Sequence, residues 1–166
     1  MKNKIDKKTI LKIDIIIIAI TLIGLGAAVG YARPLLIAPF DDTTTSNTSI
    51  LFAFDKGENI LIDDNPEFTS PESIYAKNNL VINLKPGTYY WKVSGLVQSE
   101  VRKITILSSI DLRLRESGEK YEVVNSGNTR LNVDVYDNDA LVGNVVLDVD
   151  ESENVSGNKF IGGQDE

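Results

Sequence analysis

The chain has 166 residues, no cysteine, no histidine and a net charge of −7. Without Cys or His, thiol catalysis, Ser-His nucleophilic catalysis and structural zinc sites are excluded, and no disulfide can brace the fold. The charge is unevenly spread: residues 1–40 are net +4, which leaves −11 on residues 41–166. A body this acidic is repelled by phosphate backbones, which argues against nucleic acid as a partner.

The N-terminus is a separate physical object. Lys2, Lys4, Lys7, Lys8 and Lys12 stand against one acid, Asp6, and residues 15–32 then run for 18 positions without a charge. Such a run is the signature of a transmembrane helix, and a lysine cluster in front of it marks the cytoplasmic side. Apolar residues resume from Leu35 to Phe40 after Arg33-Pro34. The expectation is a cytoplasmic basic tail at 1–12, an anchor in the lipid bilayer at 13–40, and an extracytoplasmic remainder on a single-pass cell-membrane protein. A cleaved signal peptide is the rival, with Gly30-Tyr31-Ala32 as its cut, but its apolar core is shorter than the run present here. Gly26 and Gly30 form a Gly-x-x-x-Gly pair, the spacing at which two membrane helices approach closely; a homo-oligomer through them is one reading, and the commonness of glycine in membrane helices is the simpler one. Pilin-like subunits carry a basic residue and Gly before their apolar helix. Ile13-Asp14-Ile15 stands at that place instead, which leaves a filament-associated accessory role as an alternative.

Residues 41–49, DDTTTSNTS, read as a Ser/Thr-rich stalk. Asn47-Thr48-Ser49 and Asn154-Val155-Ser156 are glycosylation sequons. Ile50, Phe52 and Phe54 then alternate as one face of a strand. Residues 59–62 are a short apolar strand, Asp63-Asp64-Asn65-Pro66 a turn, and residues 73–76 an edge strand. Residues 79–94, NLVINLKPGTYYWKVS, read as two strands around the Lys85-Pro86-Gly87 turn. Leu80, Ile82 and Leu84 share a face, as do Tyr89, Trp91 and Val93. Arg102, Ile104 and Ile106 share a face of the strand that closes this module.

LKPGTYYWKV resembles the late strands of fibronectin type III-like domains, where a Leu-x-Pro-Gly turn leads into a strand bearing Tyr. NPEFTSPESI resembles the loop and strand before that turn. The resemblance covers about residues 50–107 and implies an antiparallel sandwich with a corner tyrosine. Family spacing puts that corner at Tyr90, whereas alternation puts Tyr89 in register with Trp91 and Val93, so both stay open.

A second β unit spans residues 108–150. Ile110, Leu112 and Leu114 alternate with Asp111, Arg113 and Arg115. Residues 116–119 turn into a strand at 121–125, and Ser126-Gly127-Asn128 turns into Leu131, Val133 and Val135. Asp137-Asn138-Asp139 turns into a strand over 141–150. YEVVNSGNTRLNVDVY is faintly similar to prokaryotic adhesion-type immunoglobulin-like repeats. This unit either completes the first sandwich or packs on it. Residues 151–166 read as a polar, loose tail from which Phe160-Ile161 alone docks.

The expected fold class is therefore all-β: an immunoglobulin/fibronectin type III-like antiparallel sandwich preceded by one N-terminal transmembrane helix. Asp137, Asp139, Asp148, Asp150, Glu151 and Glu153 are oxygen donors of the kind calcium takes, with Asp148 and Asp150 on one face of a strand. Their spacing matches no EF-hand, and solvated acidic faces are the simpler reading. No catalytic, cofactor-binding or metal residue is assigned. The expected function is a non-enzymatic surface binding, spacer or adhesion module for an envelope protein or glycan. The alternative is a structural subunit of a membrane or filament complex held through its helix.

Overall fold

The computed structural model describes residues 6–118 and 120–165. Lys2 and Lys4 of the basic tail, Glu119 of the 116–119 turn and the terminal Glu166 lie outside the described residues. The chain opens with helix α1 (Lys7–Ala32), none of whose side chains is buried by the rest of the protein. The carbonyl of Asp6 accepts from the Thr9 and Ile10 amides at 2.9 and 3.1 Å. The helix stops before Pro34, because a residue preceding proline is driven out of the helical region, and Arg33 is extended (φ −68°, ψ 131°). Thr21, inside the apolar run, donates to the Ile17 carbonyl at 2.8 Å, which satisfies its hydroxyl within the helix. α1 is long and apolar enough to cross a membrane.

Beyond α1 the described residues are strands. The first eight are β1 (Leu35–Ala38), β2 (Thr43–Thr45), β3 (Ser49–Asp55), β4 (Asn59–Asp63), β5 (Glu72–Tyr75), β6 (Asn79–Asn83), β7 (Gly87–Ser94) and β8 (Arg102–Ile106). They form two sheets, in the orders β1-β3-β6 and β2-β8-β7-β4-β5. Two expectations are corrected here. Residues 35–40 do not extend the anchor, because β1 pairs with β3 and buries Leu36 in the core. Residues 41–49 are not a free stalk, because β2 lies parallel to β8, with Thr43 opposite Ile104 and Thr45 opposite Ile106. Threonine is β-branched and suits a pleated edge as well as it suits a linker, so composition alone misleads here.

The two sheets close on one core. Ile50, Phe52 and Phe54 face Ile60, Ile62, Trp91, Val93, Ile104 and Ile106. Phe52 meets Trp91 edge to face, with ring centroids 5.0 Å apart and planes at 84°, the arrangement that the quadrupoles of two rings favour. The indole Nε1 of Trp91 is buried without a hydrogen-bond partner among the described residues.

The pairing around Pro86 also differs from expectation. β6 and β7 are both strands, but they do not pair with each other: β6 pairs β3, and β7 pairs β4 and β8. Residues 84–86 carry the chain from one sheet to the other. Leu80 and Ile82 therefore reach the core from one side, and Trp91 and Val93 from the other. The corner is tied by Tyr89, whose hydroxyl donates to the Lys85 carbonyl at 3.1 Å. Of the two tyrosines left open, Tyr89 is the one whose hydroxyl bonds back to the crossing.

The remaining strands are β9 (Leu112–Ser117), β10 (Lys120–Asn125), β11 (Leu131–Asp137), β12 (Ala140–Leu147), β13 (Ser152–Val155) and β14 (Lys159–Gln164). Two three-stranded sheets, β13-β10-β9 and β12-β11-β14, enclose a second core of Val123, Leu131, Val133 and Leu147. The tail expected to be loose from 151 onward thus supplies two strands. β13 pairs β10 and β14 pairs β11, and Phe160 packs edge-on to Tyr121 at 5.4 Å. A sheet of two strands is marginal alone, and these late strands give each sheet its third.

Strand direction fixes what lies at each end of the first core. β3, β7 and the start of β8 meet α1 at one end, near residues 31–33, 55–58 and 94–102. At the opposite end the start of β3, the 84–86 crossing and the end of β8 meet the second core. Helix and second core sit at opposite ends of the first.

Candidate functional site

An open groove of about 620 Å³ lies where the two cores meet. Asn47, Asn83 and Lys85 line it from the first core, and Ser126, Asn128 and Asp150 from the second, with Leu84 and Val149 supplying apolar surface. The only ionisable groups among its described lining are Lys85 and Asp150. Amides and hydroxyls from both sides, with one cation and one anion, suit a ligand that donates and accepts many hydrogen bonds.

The groove owes its shape to the Ser126-Gly127-Asn128 turn. The Asn128 side chain donates to the Ser46 and Leu107 carbonyls, each at 2.8 Å, and its oxygen accepts the Ser109 amide at 2.7 Å. One side chain thereby fastens the first core, the connection and the second core together. Asn125, fully buried, holds the turn from beneath: its amide donates to the carbonyls of Thr129, Leu147 and Asp148 at 2.8–3.1 Å, and its oxygen accepts from Gly127 at 3.0 Å. Gly127 runs against the connection. A Cβ there would collide with the Ser109 carbonyl oxygen and stand 3.0 Å from the Asp111 amide. Gly127→Ala should therefore cost about 1–3 kcal/mol, as overpacking does, and loosen the junction. Increased proteolysis across residues 107–111, with Gly163→Ala as a silent control in open space, is the check.

A second ordered loop connects β4 to β5. Asp63, 7 % exposed, accepts from the Asn65 amide at 3.2 Å through one oxygen and from the Ser70 amide at 2.9 Å through the other. The Ser70 amide chiefly holds the carboxyl below its ordinary value of 3.8; burial opposes this, and the Asn65 amide assists. A depressed folded value stabilises fully above the unfolded value and fades as pH falls through the folded one. Asp63→Asn should thus destabilise at about pH 6 and make progressively less difference toward about pH 3, checked by denaturation midpoints across that range.

The acidic residues singled out from the sequence do not converge. β12 ends at Leu147, so Asp148 and Asp150 sit in a turn rather than on one strand face, and Asp150 is left-handed at φ 63°. Asp148 pairs with Arg130 at 3.4 Å, Arg130 also reaches Asp165 at 3.3 Å, and Asp139 lies 3.9 Å from Lys159. Glu151 accepts the Asp148 amide at 2.8 Å. Asp137 closes the β11–β12 ladder opposite Ala140, and Glu153 lies within β13 opposite Val123. Among the described residues no group of three or more acids is placed to hold a metal. Asn138 and Asp139 take φ of 49° and 64°, the pair of positive angles a tight hairpin requires. Gly26 and Gly30 lie one turn apart on α1, with nothing within 4 Å of a Cβ built at either. Asn47 is exposed at the groove and Asn154 is exposed on β13.

No family model matches the chain, and no curated protein matches it. Among solved structures, native alpha-2-macroglobulin from Escherichia coli, spanning domains NIE-MG1, is similar over 81 % of this chain and 94 % of that one. The identity is 10 % and the TM-score 0.30, too loose a likeness to carry an argument.

Proposed function

We propose that this protein is a non-enzymatic, membrane-anchored surface module. In this reading α1 spans the cell membrane with its N-terminus in the cytoplasm. The two β cores project outward as a fibronectin type III-like and immunoglobulin-like pair, and the groove between them receives an envelope protein or glycan. The observation that carries the reading is the placement of α1 and the second core at opposite ends of the first, which sets the groove one core's length from the helix. A tyrosine hydroxyl bonded back to the backbone at the crossing supports the fibronectin type III-like assignment of the first core, although it is Tyr89 and not the Tyr90 of family spacing.

The absence of native cysteine makes the topology test clean. On intact cells, a membrane-impermeant maleimide should label Asn154→Cys and spare Lys8→Cys; the reverse pattern would remove the reading. A photocrosslinker placed at Asn83 should capture a single envelope component, and its capture should fall at least tenfold when Lys85 and Asp150 are both exchanged for alanine.

The one-turn spacing of Gly26 and Gly30 on α1 supports a second reading, a subunit assembled through its helix. Changing both to leucine should then shift a detergent-solubilised dimer to monomer by sedimentation while leaving the β spectrum unchanged.

A further inference from the structure

We infer that the helix-side end of the first core rests on the bilayer surface, with Leu96 inserted among the lipid headgroups. The inference rests on the reading of α1 as a membrane span. Leu96, between β7 and β8, is 93 % exposed, the most exposed large apolar side chain among the described residues. It lines a mainly apolar hollow with Tyr31 and Ala32, the last turn of α1, and with Gly57 of the β3–β4 turn.

The vertical position of that hollow follows from the helix. The uncharged residues 15–32 rise about 27 Å at 1.5 Å each, close to the roughly 30 Å of a hydrocarbon core. Tyr31 and Ala32 then lie together at the outer edge of the hydrocarbon, the interface where amphipathic rings concentrate. Leu96, beside them, shares that depth.

The core has little freedom to lift away. Only Arg33 and Pro34 separate α1 from β1. Lys56 donates to the Tyr31 carbonyl at 3.1 Å, and its ammonium lies 4.0 Å from the centre of the Tyr31 ring. Charge at this end is balanced, with Asp55, Glu58 and Glu100 beside Arg33, Lys56 and Arg102, so the apolar surface and not net charge seats it. An isolated leucine left bare in water gains by entering that interface.

The test uses the full chain in phosphatidylcholine vesicles, with one nitroxide at Leu96→Cys, at Ile20→Cys within α1, or at Leu141→Cys in the second core. The ratio of oxygen to nickel-chelate accessibility reports depth. The Leu96 label should give a ratio several-fold above the Leu141 label and below the Ile20 label. A ratio equal to that of Leu141, with Ile20 still deep, overturns the seating and leaves the anchor intact. A shallow Ile20 label overturns both. Protection at Leu96 that disappears as protein is diluted in lipid assigns the cover to a second copy of the chain and also overturns the proposal.

Discussion

Replacing Phe52 with alanine should shift the Trp91 emission transition of the full chain in detergent by about 3–5 kcal/mol, the usual loss for a fully buried aromatic. Phe52 is completely buried at the centre of the first core, and its ring edge contacts the indole. Removing it forfeits both burial and the edge-to-face contact, and leaves a cavity between the two sheets. Trp91 is the chain's only tryptophan, so its emission follows the first core alone. That makes a companion variant informative. Leu131→Ala, in the second core, should cost about 2–5 kcal/mol in the far-ultraviolet signal and leave the Trp91 midpoint in place. The two sites have no shared neighbours in the two cores, and distant sites act independently. Equal movement of the Trp91 midpoint by both variants would show instead that the two cores unfold as one.

Arg102→Met should release the segment between α1 and β3. The Arg102 side chain, 14 % exposed, donates to the Pro39 carbonyl at 3.0 Å and the Leu36 carbonyl at 2.9 Å. Its third partner, Glu100, is 56 % exposed, so that ion pair adds little. Asp41 and Asp42 reinforce the same seam: Asp41 accepts the Lys103 amide at 2.8 Å, and Asp42 pairs with the Lys103 ammonium at 2.6 Å, raising the lysine above its ordinary value. Methionine keeps the apolar stem and removes the donors, leaving two carbonyls unmet at a cost of about 3 kcal/mol, the scale of charge-assisted bonds. Hydrogen exchange should show β1 and β2 losing protection first while β7 keeps its own. Unchanged exchange in β1 and β2 would mean that strand pairing alone secures them.

Much of this architecture is legible in the sequence because burial imposes a period. The uncharged run at 15–32 identifies the helix. Phe52/Phe54, Trp91/Val93 and Ile104/Ile106 identify faces that are buried in the structure. The crossing at Pro86 is not legible, because a hairpin and a passage between facing sheets both turn alternate apolar residues inward. β2 hides because a threonine run pairs through its backbone, and β13 because SENV has no alternation to read; each takes its place from a partner far along the chain. The groove is less legible still. Its lining comes from five separated segments, and what shapes it, Asn125 and Asn128, acts through carbonyls that no local pattern displays.

The parallel β2–β8 pair has a mechanical consequence. The chain enters the first core from α1 through β1, passes directly into β2, and leaves just after β8, where the Leu107 amide still bonds the Thr45 carbonyl at 2.8 Å. Tension between the helix and the second core therefore drags these two strands along their length in opposite senses, so their hydrogen bonds carry the load together instead of parting one by one. The topology resists being pulled apart along its own axis.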